Sequence, residues 1–175
     1  MLSAQSPLTK IIFRRCGYTI YIITHGKHIA HLSFSSQRHS LAIDQIRSID
    51  HNCIIRKVTS SDNLICNELE EYLIGNRRHF SFTASPLLLK CASPFRQQIW
   101  QQISAIPYGK TATYGNIGRE MGNPNLARAV GQAANANPVA LIIPCHRVIG
   151  KHSLGGYAGG VTIKNYLLDL ERDHR

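Results

Sequence analysis

The residue pattern changes at Ser93-Pro94, and that change limits what the chain can fold into. Before it, Ile11 to Arg15, Tyr18 to Thr24 and Ile29 to Phe34 are short runs of β-branched and aromatic residues. The turn signals Cys16-Gly17 and Gly26-Lys27 separate them, so they read as strands. Asn63 to Gly75 spaces Leu64, Ile65, Leu69, Tyr72 and Leu73 as an amphipathic helix that ends at the glycine. After the change, Ser93 can cap a helix with Pro94 in its first turn. Phe95, Ile99, Ile103 and Ile106 continue it at helical spacing as far as Pro107. Thr113-Tyr114-Gly115 leads into a short helix that stops near Gly122, and Asn123-Pro124 opens another through Leu126 to Ala134. Two short helices across a tight turn suggest a helix-turn-helix. Asn137-Pro138 closes that unit, and a buried-looking run follows to Pro144. A glycine-rich loop then precedes a final helix from Val161 to about Arg172. The expectation is an α/β domain over residues 1–85, a linker over 86–93, and an all-α C-terminal domain over 94–175 that carries the helix-turn-helix.

Composition narrows the function classes. Of 175 residues 43% are hydrophobic, which argues against disorder and allows a real core. The net charge of +10 favours polyanions, nucleic acid above all. No apolar run is long enough to cross a bilayer, so no membrane partner is expected. The start, Met1-Leu2-Ser3-Ala4-Gln5, lacks the basic head and apolar stretch of a signal peptide, so the expected location is cytoplasmic. The cysteines are Cys16, Cys53, Cys66, Cys91 and Cys145, an odd number with no Cys-x-x-Cys pair. That pattern suits reduced thiols better than a disulfide framework or a four-cysteine zinc site. Cys16, His25, His28 and His31 invite a metal, but no convincing ligand spacing emerges, and none is expected.

One thiol stands apart. Cys145 is followed by His146 and Arg147, and basic neighbours lower a thiol pKa. Adjacent side chains point away from each other on a strand and lie about 100° apart on a helix. A water relay between sulfur and imidazole is therefore more plausible than direct contact. Taken alone, the dipeptide is better described as a buried thiol beside a satisfied histidine.

The dipeptide is one member of an ordered series. Ile106-Pro107-Tyr108-Gly109-Lys110-Thr111, Thr113-Tyr114-Gly115, Gly122-Asn123-Pro124, Ala127-Arg128-Ala129-Val130-Gly131, Asn137-Pro138, Pro144-Cys145-His146-Arg147-Val148 and Gly155-Gly156-Tyr157-Ala158-Gly159-Gly160 follow one another. The series, over about Pro94 to Glu171, resembles the O6-alkylguanine-DNA alkyltransferases, the methylated-DNA–protein-cysteine methyltransferases. The first half matches only in general layout. The resemblance implies a ribonuclease H-like first domain, no cofactor, and a monomer that binds double-stranded DNA through the minor groove. It implies single-turnover transfer of a methyl or larger alkyl group from O6-alkylguanine, and from O4-alkylthymine, in a flipped-out base to Cys145.

The resemblance also distributes roles. His146 takes the thiol proton through a water, Glu171 holds the other imidazole nitrogen and favours the charged ring, and Asn137 fixes the turn. Arg128 fills the gap left by the flipped base, while Ala127, Ala129 and Gly131 let the helix approach the groove. Tyr114 donates to a ring nitrogen of guanine. The backbone carbonyls of Cys145 and Val148 accept from the exocyclic amine. Tyr157 and the N–H of Ala158 line the loop side. Ala158 stands where many relatives carry serine, and Ala140 where some carry proline; Gly159 leaves room for groups larger than methyl. Three rivals are set against this reading. A non-catalytic alkyltransferase-like lesion binder replaces the cysteine that is intact here. A transcription regulator would leave the Cys145 segment unexplained, and a cysteine hydrolase would need an oxyanion loop.

Overall fold

The structure, a computed structural model, describes residues 8–51, 53–58 and 63–175. The stretch Met1 to Gln5 read above for a signal peptide lies outside the described residues. Strands β1 (Leu8–Arg15), β2 (Tyr18–His25) and β3 (His28–Ser33) form an antiparallel meander, and β4 (Ile55–Val58) joins β1 in parallel, giving the order β3-β2-β1-β4. The Cys16-Gly17 turn puts both residues at positive φ, 52° and 77°. Helix α1 (Ser36–Ile49) connects β3 to β4, and α2 (Leu64–Leu73) follows the sheet.

Each face of the sheet is covered. Leu8, Ile23 and Ala30 pack with Ala42 and Ile46 of α1. Ile11, Phe13, Ile20, Ile22, Ile29 and Leu32 belong to the larger core, which takes in Cys66, Leu69, Tyr72 and Leu73 of α2. That core continues without a break into the C-terminal half, through Ile99, Trp100, Val130 and Leu167.

The C-terminal half contains α4 (Pro94–Ser104), α5 (Tyr114–Glu120), α6 (Ala127–Asn135) and α7 (Val161–Asp173). Ser93 accepts from the Arg96 N–H at 3.3 Å with Pro94 in the first turn, so the expected cap forms. A 3-10 turn at Pro124–Leu126 precedes α6, where a single helix was expected from Asn123. The half is not purely α. Ala112–Thr113 (β5) and Val148–Ile149 (β6) form a short parallel ladder. Residues 86–93 are not a bare linker either, because Ser85 caps a turn of helix, α3 (Pro86–Leu89), and Leu88 is buried. Helix α1 also escaped the sequence reading. Its buried stripe is only His39, Ala42 and Ile46, and a histidine counts as polar in periodicity.

The outer edge of β3 joins the halves. Ile29 exchanges backbone bonds with Thr83 and Ser85, at 2.9 and 2.7 Å. Leu32 donates to the Pro138 carbonyl at 2.9 Å and accepts from the Ala140 N–H at 2.8 Å. An edge strand otherwise offers unpaired backbone groups. Here they anchor the segment that contains Asn137.

Candidate active site

Asn137 is the first link between fold and chemistry. It is 6% exposed, and all its bonds are internal. Its Oδ1 accepts from the Val139 N–H at 3.0 Å; its Nδ2 donates to the Ile143 carbonyl at 2.7 Å and to the Cys145 sulfur at 3.2 Å. One side chain thus closes the turn from residue 137 to 145 and touches the thiol. The turn also holds Leu141 at φ 69°, a left-handed conformation that costs a branched residue about 1 kcal/mol or more.

Cys145, His146 and Arg147 form a 3-10 turn, whose successive side chains diverge by about a third of a circle. The thiol enters one space and the imidazole another, and no hydrogen bond joins them among the described residues. His146 is fully buried. Its Nε2 donates to Glu171 Oε1 at 2.7 Å, and its Nδ1 is buried with no protein partner. Arg147 grips the same carboxylate in bidentate fashion, Nε to Oε2 at 2.9 Å and Nη2 to Oε1 at 3.0 Å, and gives Nη1 to the Ile106 carbonyl at 2.7 Å. The Gly109 N–H donates to Oε2 at 3.0 Å, and the Tyr72 hydroxyl, from α2, donates to Oε1. Donors from Tyr72, Gly109, His146 and Arg147 thus wrap a carboxylate with no solvent exposure.

These contacts decide protonation. Burial alone would raise the Glu171 carboxyl, but bonds and charge from His146, then from Arg147, outweigh it and bring the pKa to about 2. Burial lowers His146, and the opposing pull of Glu171 is shared with the Arg147 cation. Burial thus disfavours the charged ring, and a neutral ring that donates from Nε2 to Glu171 carries its lone pair on Nδ1. Glu171 does favour the charged ring, as expected, but burial outweighs that pull, and the Arg147 cation adds to the lowering. Burial also raises the Cys145 thiol, against the bond from Asn137 and the charge of Lys164, which lower it. The expected lowering by a basic neighbourhood is outweighed by burial, and the cations that act on the thiol are Lys164 and Arg38, not its sequence neighbours.

Cys145 opens into a cavity of about 250 Å³ lined by Tyr114, Gly131, Ala134, Asn135, Gly156, Tyr157 and Ala158. Tyr114 begins α5, capped by Thr113, whose Oγ1 accepts from the Asn116 N–H at 3.1 Å. Its ring lies against two glycines. A Cβ at Gly155 would stand 2.6 Å from the Tyr114 hydroxyl, and Gly155 has φ 69°, so only glycine fits without displacement. A Cβ at Gly131 would make ordinary contact with the ring, at 3.7 Å.

Of the twelve residues singled out from sequence, Cys145, Tyr114, Gly131, Tyr157 and Ala158 meet in the cavity, and Asn137, His146 and Glu171 stand behind it. Arg128 is exposed on α6, and Ala127 and Ala129 are half-buried beside it; none of the three lines the cavity. The Val148 carbonyl accepts from Lys164 Nζ at 2.6 Å, and the Cys145 carbonyl from the Val148 N–H. Each carbonyl keeps one lone pair for another donor. Cys16, His25, His28 and His31 do not converge: His25 bonds Ser85, His28 bonds Thr83 and His31 bonds Ser33. No group of three or more potential ligands assembles among the described residues.

Arg147, Tyr72, Gly109, Lys164, Ala134 and Asn135 were missed. Lys164 has no exposed surface, gives Nζ also to the Gly156 carbonyl at 3.2 Å, and is lowered by burial to about 8. The sequence carried one signal for it. Lys164, Leu167 and Glu171 share one face of α7 at helical spacing, so two charges sit on an apolar stripe. Tyr72 had no such signal, since its position in α2 reads as core.

Comparison with known proteins matches residues 94–173 to the family described as 6-O-methylguanine DNA methyltransferase, DNA binding domain. A methylated-DNA–protein-cysteine methyltransferase of Methanosarcina acetivorans is 46% identical over 59% of this chain and 65% of its own length. The chain therefore spans just under two thirds of that relative. A protein of the same name from Methanosarcina mazei is 35% identical over 90% of this chain and 92% of its own. The crystal structure of the Mycobacterium tuberculosis O6-methylguanine methyltransferase superposes with a TM-score of 0.76 at 29% identity, covering 96% of this chain and 94% of that one. The DNA complex of the M. tuberculosis protein gives 0.75 at 28% identity, covering 95% and 94%.

Proposed function

Because this chain belongs to the methylated-DNA–protein-cysteine methyltransferases, we propose that it repairs DNA by moving an alkyl group from O6-alkylguanine, and from O4-alkylthymine, onto Cys145. One observation carries the reading: the Cys145 thiol lies in an open cavity while the His146 Nδ1 behind it is a buried, unpartnered acceptor. A nucleophile, a base and a carboxylate that orients the base are the parts such a transfer needs.

The thiol proton passes through a water to Nδ1, with Glu171 holding Nε2. The thiolate attacks the alkyl carbon, a sulfur–carbon bond forms, and the carbon–oxygen bond breaks with its electron pair moving onto the base. Tyr114 stabilises that charge by donating to a ring nitrogen, and the proton taken from sulfur ends on the guanine. The thioether is a poor leaving group, so one molecule acts once, and no cofactor takes part. Asn137 steadies the thiolate through its Nδ2 donor. Tyr157 and the Ala158 N–H border the oxygen being dealkylated, and the free lone pairs of the Cys145 and Val148 carbonyls take the exocyclic amine.

A base inside a duplex hides its alkyl group and has to leave the stack. In this reading α5, the Pro124–Leu126 turn and α6 work as a helix-turn-helix. Ala127, Ala129 and Gly131 allow close approach to the minor groove, and exposed Arg128 occupies the gap in the stack. Minor-groove readout is degenerate, which suits damage in any sequence. The first half, residues 1–85, is read as ribonuclease H-like, joined through 86–93 to the transfer domain 94–175, in a cytoplasmic monomer. The test is stoichiometry with an excess of O6-methylguanine duplex. A plateau at one guanine restored per protein molecule supports the reading, and continuing turnover sinks it.

A further inference from the structure

We infer that Arg38, on α1 of the N-terminal half, is a phosphodiester-binding residue at the mouth of the Cys145 cavity. The inference rests on the reading that a DNA base enters that cavity. The rim of the cavity includes Asn135, the last residue of α6, and its Oδ1 accepts from Arg38 Nη2 at 2.9 Å. The Arg38 backbone is fixed in the first turn of α1, where Ser35 accepts its N–H at 3.3 Å. Its guanidinium has five N–H donors and, among the described residues, one acceptor, the Asn135 amide oxygen. No carboxylate pairs with it among the described residues, whereas Arg147 has one such partner and Arg77 and Arg172 have two each.

Geometry then selects the ligand. A base that reaches Cys145 leaves its sugar and flanking phosphates at the rim. A half-buried guanidinium with spare donors and an uncompensated charge presents the fork that matches two phosphate oxygens. Arg38 also lines a neighbouring cavity with Ala136, Asn137 and Pro138, which places it on the side of α1 that faces the active-site turn. Arg128, at the start of α6, and Arg38, at its end, would grip the extruded strand from the two halves of the chain.

The competing explanation is structural: a cation favourably placed at the C-terminus of α6 that keeps Asn135 in position. Binding to an O6-methylguanine duplex across a salt series separates the two, using wild type, Arg38→Gln and Arg38→Lys. Methyl transfer to that duplex and to free O6-methylguanine is measured in parallel. We expect Arg38→Gln to bind severalfold more weakly and to flatten the log–log salt slope by about 0.9, the value for one phosphate. Its loss of rate should be larger on the duplex than on the free base, and Arg38→Lys should restore most of the slope. An unchanged slope, or equal losses on both substrates, would overturn the assignment. Failure of the wild type to transfer any methyl would instead count against the repair reading, while the salt slope would still judge Arg38.

Discussion

Glu171→Gln removes one buried negative charge and turns one acceptor oxygen into an NH2 group. Oε1 now accepts from His146, Tyr72 and Arg147, and Oε2 accepts from Arg147 Nε and the Gly109 N–H. A glutamine in the same pose keeps one acceptor, so its NH2 faces two N–H donors that lose their partner. Each buried donor left unpaired costs ~1–3 kcal/mol. Linkage gives a second figure. The carboxyl is held at about 2 instead of 4.5, and at ~1.4 kcal/mol per pKa unit its ionised form contributes roughly 3 kcal/mol at pH 7. The folded-state pKa is depressed, so this stability is complete above pH 4.5 and is lost as pH falls towards 2. Urea unfolding at pH 7 should show a loss of about 3 kcal/mol, about 10 °C in Tm for a chain of this size. The variant's stability should also vary less than wild type between pH 4.5 and 2. A loss below ~1 kcal/mol with the acid limb unchanged would refute the reasoning, because the contacts on which it rests would then be worth little.

Three further perturbations probe separate parts of the account. Asn137→Ala strips the donor from the Cys145 sulfur and should move thiol alkylation by iodoacetamide to higher pH, with ~2–3 kcal/mol of stability lost through the unpaired Ile143 carbonyl and Val139 N–H; an unmoved pH profile would contradict the assigned contact. Gly155→Ala drives a methyl into the Tyr114 hydroxyl at a φ of 69°, so methyl transfer should slow by tenfold or more (~1.4 kcal/mol); wild-type kinetics would show that Tyr114 is not held by that glycine. His31 is held at about 3 by burial, then by the charges of His39 and Arg38. The unfolded chain takes up that proton near 6.5 while the fold resists it, so stability should fall by roughly 2 kcal/mol between pH 6.5 and 5. His31→Phe should flatten that limb, and an equal slope in both proteins would refute the assignment.

Sequence and structure agree where a residue's role is local. The cap Ser93 acts on an N–H group three residues away, and its residue type announces it. The Cys145 segment was legible for a different reason, the ordered series of motifs around it that resembles a family. The carboxylate cluster was not, because its members come from α2, the Gly109 turn, the 3-10 turn and α7, and only the packed fold brings them together. Protonation was misread in consequence. Burial outweighs the cations near Cys145, and those that act on it, Lys164 and Arg38, come from distant parts of the chain. Helix α1 illustrates the opposite failure: its buried face uses a histidine, so hydrophobic spacing passed over the element that carries Arg38.

The central claim is that Cys145 itself receives the alkyl group. Incubation with an O6-methylguanine duplex, followed by mass spectrometry of the intact protein and of its peptides, addresses it directly. The account predicts a gain of one methyl on the peptide containing Cys145, and none in Cys145→Ala. A methyl on any other residue, or tight binding of the lesion with no gain in mass, would contradict it.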